Sequence, residues 1–88
     1  MNETQSKMHA RLAALDPMSL EIIDESHKHA GHAGAREGGG HYVLKIVSSQ
    51  FSGNNMVARH RMIYSALGEL MKRDIHALTI QAHSPEEN

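Results

Sequence analysis

Histidines are the residues of this chain most suited to chemistry. Eight occur among 88 residues, and four of them, His27, His29, His32 and His41, lie in or beside the glycine-rich stretch "HKHAGHAGAREGGGH". His76 opens a later strand-like segment. Imidazole binds zinc, copper, iron and nickel, and a ligand on a loop can close over one held on a rigid strand. The alternatives are a solvated connector for the loop and a partly buried core histidine for His76.

The absence of cysteine limits what these histidines can do alone. The chain has no disulfide, no thiol nucleophile and no sulfur ligands for an iron–sulfur site of its own. No serine lies in a nucleophile elbow, and the adjacent Asp24 and Glu25 point to opposite strand faces instead of facing across a cleft. The sequence therefore predicts a binding protein and not an enzyme. A zinc- or copper-buffering loop is one form that it could take.

A second candidate site is cationic. Arg59 and Arg61 lie in the helical "ARHR" segment, with Asn54 in the preceding turn and Lys72 near the end of the helix. These residues could contact a nucleic-acid backbone, but nine Lys and Arg against ten Asp and Glu give no basic excess. On a helical wheel Arg59 and Arg61 point different ways. A salt-bridging or solvated role is therefore favoured over binding to DNA.

The length predicts one domain over residues 1–88, with 1–2 and 83–88 as flexible tails. No apolar run approaches the roughly 18 residues that a membrane span needs. The N-terminal residues show no targeting segment. We therefore expect a soluble protein without a membrane partner, in a bacterial cytoplasm or in an organelle matrix after processing.

Hydrophobic periodicity predicts the elements that position these side chains. Residues 3–15 form an amphipathic helix, with an Asn2–Gln5 capping box. Segments 19–26 and 41–49 alternate as strands and pair most simply as an antiparallel hairpin, whose connection is the glycine-rich stretch.

The second half of the chain predicts a helix and a last strand. The helix runs from Met56 to about Lys72, and Gly68 is a candidate break within it. Its apolar stripe is Met56, His60, Ile63, Leu67 and Leu70. Segment 75–82 is the last strand, with His76, Leu78 and Ile80 on one face. These elements predict an α+β fold, a three-stranded mixed sheet with the helices on one face.

Three segments together resemble the BolA family in their order and spacing. They are "LEIIDESHKHAGHAG" from Leu20, "HYVLKIVSSQFSGNNMVARHRMIYSAL" from His41, and "IHALTIQAHSPEE" from Ile75. The resemblance implies a BolA-like α-β-β-α-α-β fold, similar to the class II KH arrangement. It also implies partnership with monothiol glutaredoxins in iron–sulfur cluster handling, and a DNA-binding regulatory role that is proposed for some members.

The resemblance further implies ligands for a shared [2Fe-2S] cluster. The family's C-terminal histidine ligand falls on His76, and its loop ligand falls on His29, with His32 and His27 as alternatives. Such a cluster has four ligands, of which a glutaredoxin cysteine and glutathione could supply two. The other two ligands would be imidazoles of this chain. Without its partner, the protein is expected to hold no cofactor and to be a monomer. His41 is assigned to the strand and not to the site.

Overall fold

The computed structural model describes residues 1–26 and 39–87. Within them the elements follow the order α1-β1-β2-α2-α3-β3. The helices are α1 (Glu3–Leu12), α2 (Met56–Leu67) and α3 (Leu70–Arg73). The strands are β1 (Ser19–Asp24), β2 (Gly40–Val47) and β3 (Ile75–His83). Three short 3₁₀ turns follow α1, β2 and β3: Ala13–Leu15, Ser49–Phe51 and Pro85–Glu87.

The three strands form one mixed sheet in the order β1-β2-β3. β1 runs antiparallel to β2, and its register pairs Ser19 with Val47 and Asp24 with Tyr42. β2 runs parallel to β3, because the α2 and α3 helices carry the chain back to the same end of the sheet. The predicted α+β fold and the predicted hairpin are confirmed. Both hairpin strands end two residues earlier than the sequence predicted.

The helices pack on one face of this sheet and bury its apolar side chains. Leu44 and Ile46 of β2 are fully buried, and Met8 and Leu12, one turn apart on α1, lie in the same cluster. Burying one such side chain stabilises the fold by about 1.5–3 kcal/mol. The core also contains Leu15, Tyr42, Phe51, Ile63, Leu67, Leu70, Ile75 and Ala82.

The first helix begins and ends at signals that the sequence contains. The Asn2 side chain accepts a hydrogen bond from the Gln5 amide at 2.7 Å, and Gln5 Oε1 accepts one from the Asn2 amide at 2.8 Å. This confirms the predicted capping box. The 3₁₀ turn after α1 ends at Asp16, whose positive φ of 48° turns the chain before Pro17.

Gly68 separates α2 from α3, as the sequence predicted. Its φ of 55° is in the left-handed region, which costs glycine little. The predicted apolar stripe is correct for Ile63, Leu67 and Leu70, which are buried. It is wrong for Met56, which is exposed, since α2 buries Arg59 at that end instead.

The expected tails need correction where the chain is described. Asn2 caps α1, and the segment 83–87 continues β3 and then forms a 3₁₀ turn. Ser84 is only 2% exposed, and Glu87 pairs with Arg59. The domain limits themselves stay a prediction. No helix within residues 1–26 and 39–87 is long and apolar enough to cross a membrane.

Candidate metal centre

A β-bulge at the start of β3 sets the direction of His76. In the ladder between β2 and β3, Gly40 pairs with Ile75 and His41 pairs with Ala77. His76 is therefore an extra residue between two paired positions. A bulge interrupts the alternation of a strand and re-aims the side chain at that point. Accordingly, Ile75 is buried and His76 is exposed.

The bulge overturns one prediction from the sequence. Strict alternation placed His76 on the same face as Leu78 and Ile80. The latter two do pack against the core, but His76 does not share their burial. This exposure also excludes the interpretation of His76 as a core histidine, and it leaves the imidazole accessible to a metal or a partner.

The imidazole of His41 lies beside that of His76. Their ring centroids are 5.4 Å apart and their planes are inclined by 36°. His41 alternates with the buried Tyr42, so both imidazoles lie on the sheet face away from the helices. Two imidazoles on one tetrahedral metal ion have centroids about 5 Å apart, because each metal–nitrogen bond is about 2.1 Å long. The centroid distance of the His41–His76 pair lies near this value.

Glycine lets the chain approach His76 closely. Gly39 has a φ of 79°, and a Cβ placed on it would lie 3.1 Å from His76 Cβ and 3.2 Å from the His76 nitrogen. The following Gly40 is equally confined, since its Cβ would lie 2.5 Å from Ser26 Oγ. A side chain at Gly39 would push β2 away from the bulge, whereas one at Gly40 would collide with Ser26 and Tyr42. Gly39 thus lets the start of β2 lie against the start of β3, and Gly40 lets it lie against Ser26.

The described structure stops at Ser26 and resumes at Gly39, both close to His41 and His76. We call the region of Ser26, Gly39, His41 and His76 the histidine corner. Ser26 Oγ accepts a hydrogen bond from the His41 amide at 3.1 Å, and the Glu25 amide donates to the His41 carbonyl at 2.8 Å. The chain returns at Gly39, against His76. The predicted loop ligands His29, His32 and His27 lie outside the described residues, so their assignment stays a prediction.

The described residues offer two nitrogen ligands and not a complete site. Within residues 1–26 and 39–87, no group of three or more His, Cys, Asp or Glu side chains is arranged to hold a metal ion. A [2Fe-2S] cluster takes four ligands, and two histidines on one iron are a known arrangement. The donors present therefore fit one half of a shared cluster, provided that a partner supplies the thiolates.

Arg59, the first residue of the alternative cationic site, is buried in the core. Arg59 is only 5% exposed, and its guanidinium makes two hydrogen bonds of 2.6 Å to the two carboxylate oxygens of Glu87. It also donates to the Ala82 carbonyl at 3.1 Å and lies 5.9 Å from the ring centroid of Phe51. The hydrogen bonds with Arg59 lower the pKa of Glu87 to about 2. Arg59 is thus a structural cation and does not face phosphate.

The other predicted phosphate contacts are dispersed. Asn54 is half-buried and its side chain donates to the Gln50 carbonyl at 3.0 Å, so it stabilises the turn before α2. Arg61 on α2 and Lys72 on α3 are both exposed. Their role in binding DNA stays a prediction.

Known proteins share the sequence pattern and the fold of this chain. A family model described as BolA-like protein matches residues 12–87. The chain belongs to the BolA family. The BolA domain of SufE1 from Arabidopsis thaliana superposes with a TM-score of 0.86 at 40% identity, over 100% of this chain and 99% of that one. This confirms the α-β-β-α-α-β order that the BolA resemblance implied.

Two curated relatives with different names are similar to this chain. SufE-like protein 1, chloroplastic/mitochondrial, of Arabidopsis thaliana is 46% identical over 78 residues, which cover 83% of this chain and 21% of that protein. The DNA-binding transcriptional regulator BolA of Escherichia coli (strain K12) is 39% identical over 75 residues, which cover 85% of this chain and 69% of that protein. This BolA-family chain thus spans about a fifth of the length of the first relative. Its own compartment stays a prediction.

Sequence reasoning placed His41 correctly in a strand but missed its position beside His76. The order of the predicted elements already indicated that His41 and His76 lie close together. The two helices between β2 and β3 favour a parallel crossover, and parallel strands begin at the same edge of a sheet. Each histidine is the second residue of its strand, so the BolA fold brings them side by side.

Proposed function

We propose that this BolA-family protein is an adaptor, without catalytic activity, that binds a monothiol glutaredoxin and helps to ligate a bridging [2Fe-2S] cluster. The role would be iron–sulfur cluster trafficking or iron and redox signalling. The observation that supports it most is the His41–His76 pair, with His76 exposed and His41 half-buried, where the glycine-rich segment meets the sheet. A chain without cysteine and with two adjacent imidazoles can offer half of a cluster site.

Each residue of the corner has a defined task in this proposal. The bulge exposes the His76 imidazole, Gly39 permits the close approach of β2, and Ser26 fixes the His41 backbone. The bound cluster would accept and release one electron, with histidine ligation raising its potential above that of an all-cysteine site. Neutral imidazole is the ligand form, so acidification weakens binding by protonating the histidines.

The second ligand has two candidate sources. The family resemblance assigns it to His29, with His32 and His27 as alternatives. The position of His41 adds a fourth candidate on rigid backbone. Glutaredoxin cysteine and glutathione supply the two thiolates in either case.

Co-reconstitution tests the proposal. The protein, a monothiol glutaredoxin, iron, sulfide and glutathione should give a heterocomplex whose visible circular dichroism differs from that of the glutaredoxin homodimer. His76→Ala should abolish that difference. His83→Ala, an exposed histidine at the other end of β3, is the matched control and should preserve it. An unchanged spectrum for His76→Ala would reject the ligand assignment.

Single replacements of His27, His29, His32 and His41 by alanine then identify the second ligand. The variant that loses the heterocomplex spectrum removes that ligand. If none of the four does so while His76→Ala does, the chain contributes one ligand only.

The name of the Escherichia coli relative supports a second candidate, a DNA-binding regulator. Arg61 would carry it, since Arg59 is committed to Glu87. Fluorescence anisotropy with duplex DNA at two salt concentrations and near pH 7.5 tests it, because phosphate binding weakens steeply with salt. Loss of binding with Arg61→Ala supports this candidate, and absence of binding at physiological salt rejects it.

A further inference from the structure

A shallow, open apolar groove lies on the helical layer, well away from the His41–His76 pair. Its volume is about 470 Å³, and it lies between the first 3₁₀ turn and α2. Small side chains on both walls leave the space open, and the half-buried Met62 packs against the core beneath it. The lining consists of Ala14, Leu15, Arg61, Met62, Ser65 and Ala66.

The groove and the His41–His76 pair lie near opposite ends of the sheet. Ser48, which follows β2, donates from Oγ to the Leu15 carbonyl at 2.5 Å and so fixes the turn that forms one wall. His41 lies at the start of β2 and Ser48 directly after its end, so about 23 Å separates them at ~3.3 Å per residue. A ligand in the groove is therefore not a ligand of the metal centre.

Two exposed apolar side chains on α2 flank Arg61, which lines the groove. Val57 and Tyr64 are 61% and 42% exposed, and they lie four residues before and three residues after Arg61 on the same side of the helix. Exposed apolar side chains beside a groove are typical of an interaction site. Arg61 is exposed between them and makes no ion pair within residues 1–26 and 39–87.

The position of Arg61 decides which partner suits this surface. A second copy docked on the same face about a two-fold axis would place Val57 near Tyr64 of the other copy, but Arg61 near its own equivalent. That like-charge contact opposes self-association. A partner that presents carboxylates beside apolar side chains would instead pair with Arg61 while filling the groove.

We propose that the groove and the Val57–Arg61–Tyr64 stripe bind an acidic amphipathic helix of a partner protein. Its large apolar side chains enter the groove, and a carboxylate pairs with Arg61, in the helix-in-groove mode of recognition. This binding is independent of the proposed cluster function, because it uses no residue of the histidine corner.

Amide chemical shifts of the ¹⁵N-labelled full chain test the proposal at pH 7.5. The probes are two synthetic amphipathic peptides of about 15 residues, long enough to form a helix. Both have leucine on one face, and the other face is glutamate-rich in one and lysine-rich in the other. The acidic peptide should shift the amides of Ala14, Arg61, Ser65 and Ala66, and the basic peptide should not.

Variants separate the groove from general charge effects. Arg61→Glu should weaken binding of the acidic peptide by about tenfold or more. Ala14→Glu, at an exposed position on the groove wall, should weaken it similarly by adding bulk and a like charge. Lys45→Glu removes an exposed cation from β2 and is the matched control, which should bind as the parent chain does.

Three results would overturn the proposal. One is equal binding of the basic peptide. Another is a shift of the same amides by dilution alone, which would indicate a second copy. The third is a set of shifts produced only by duplex DNA and lost at high salt, which would assign Arg61 to phosphate.

Discussion

Arg59 and Glu87 form a two-fold hydrogen-bonded ion pair that joins α2 to the last turn of the chain. Both bonds measure 2.6 Å, and the arginine is almost completely buried. The Ser84 amide donates to the same carboxylate at 3.3 Å. A planar guanidinium and a carboxylate match each other in this geometry, so the pair fixes the direction of the chain after β3.

This pair should make stability depend on pH below about 5. The folded pKa of Glu87, about 2, lies below its ordinary value, so its contribution is present above about pH 4.5 and is lost as the pH falls towards 2. Glu87→Gln should lower the urea midpoint at pH 7 and reduce the loss between pH 5 and pH 2. Glu86→Gln, next to it but bonded to Ser52, is the control. An unchanged midpoint for Glu87→Gln at pH 7 would show that the pair does not stabilise the fold.

Gly39→Ala should destabilise the fold more than Gly53→Ala does. Both glycines have φ near 80°, which costs an alanine about 1–2 kcal/mol. Only at Gly39 does the added Cβ also meet His76, whereas at Gly53 nothing lies within 4 Å. Urea unfolding of both variants isolates the cost of that contact, and NMR of the imidazole Hε1 protons should show His76 displaced in Gly39→Ala alone. Equal losses of stability would contradict the close approach.

His60 carries the buried side-chain atom without a hydrogen-bond partner among the described residues, its Nε2. Leaving a buried polar atom unpaired costs about 1–3 kcal/mol. His60→Leu should therefore raise the free energy of unfolding, by about 1 kcal/mol. Since the ring also makes an edge contact with Tyr64, Tyr64→Leu is the control that removes this contact only. Destabilisation by His60→Leu alone would mean that Nε2 is satisfied in solution.

Ser48→Ala should lower the free energy of unfolding by about 1–3 kcal/mol. The buried hydroxyl donates to the Leu15 carbonyl and accepts from the Gln50 amide at 3.1 Å, so alanine leaves two backbone groups unsatisfied. The exposed Ser49→Ala is the control and should change stability little. Thermal unfolding of both variants would test this, and a Ser48→Ala melting temperature equal to that of Ser49→Ala would contradict it.

Local patterns in the sequence were sufficient for most elements. Alternation located β2 and β3, the Asn2–Gln5 spacing located the start of α1, and Gly68 located the break between α2 and α3. Each of these signals lies within a few residues of the feature that it predicts. The family resemblance then added the order of the elements.

Features that depend on distant partners were not accessible in this way. The bulge at His76 arises from the register between β2 and β3, and no pattern within β3 alone shows an inserted residue. Arg59 can be buried because distant groups pair with it, the Ala82 carbonyl and Glu87, which lies 28 positions later. For the same reason the C-terminal residues looked like a polar tail. Polarity indicates exposure only when no partner is available.

The last strand also determines when the histidine corner can exist. His41 belongs to a hairpin that is complete by Val47, whereas His76 reaches it only when β3 pairs with β2. During synthesis domains fold as units, and long-range parallel pairing is a late and slow event. A nascent chain that lacks its C-terminal strand therefore has separated imidazoles. Adjacent imidazoles appear only in a finished sheet, so a partner that needs both of them would discriminate between folded and unfinished molecules.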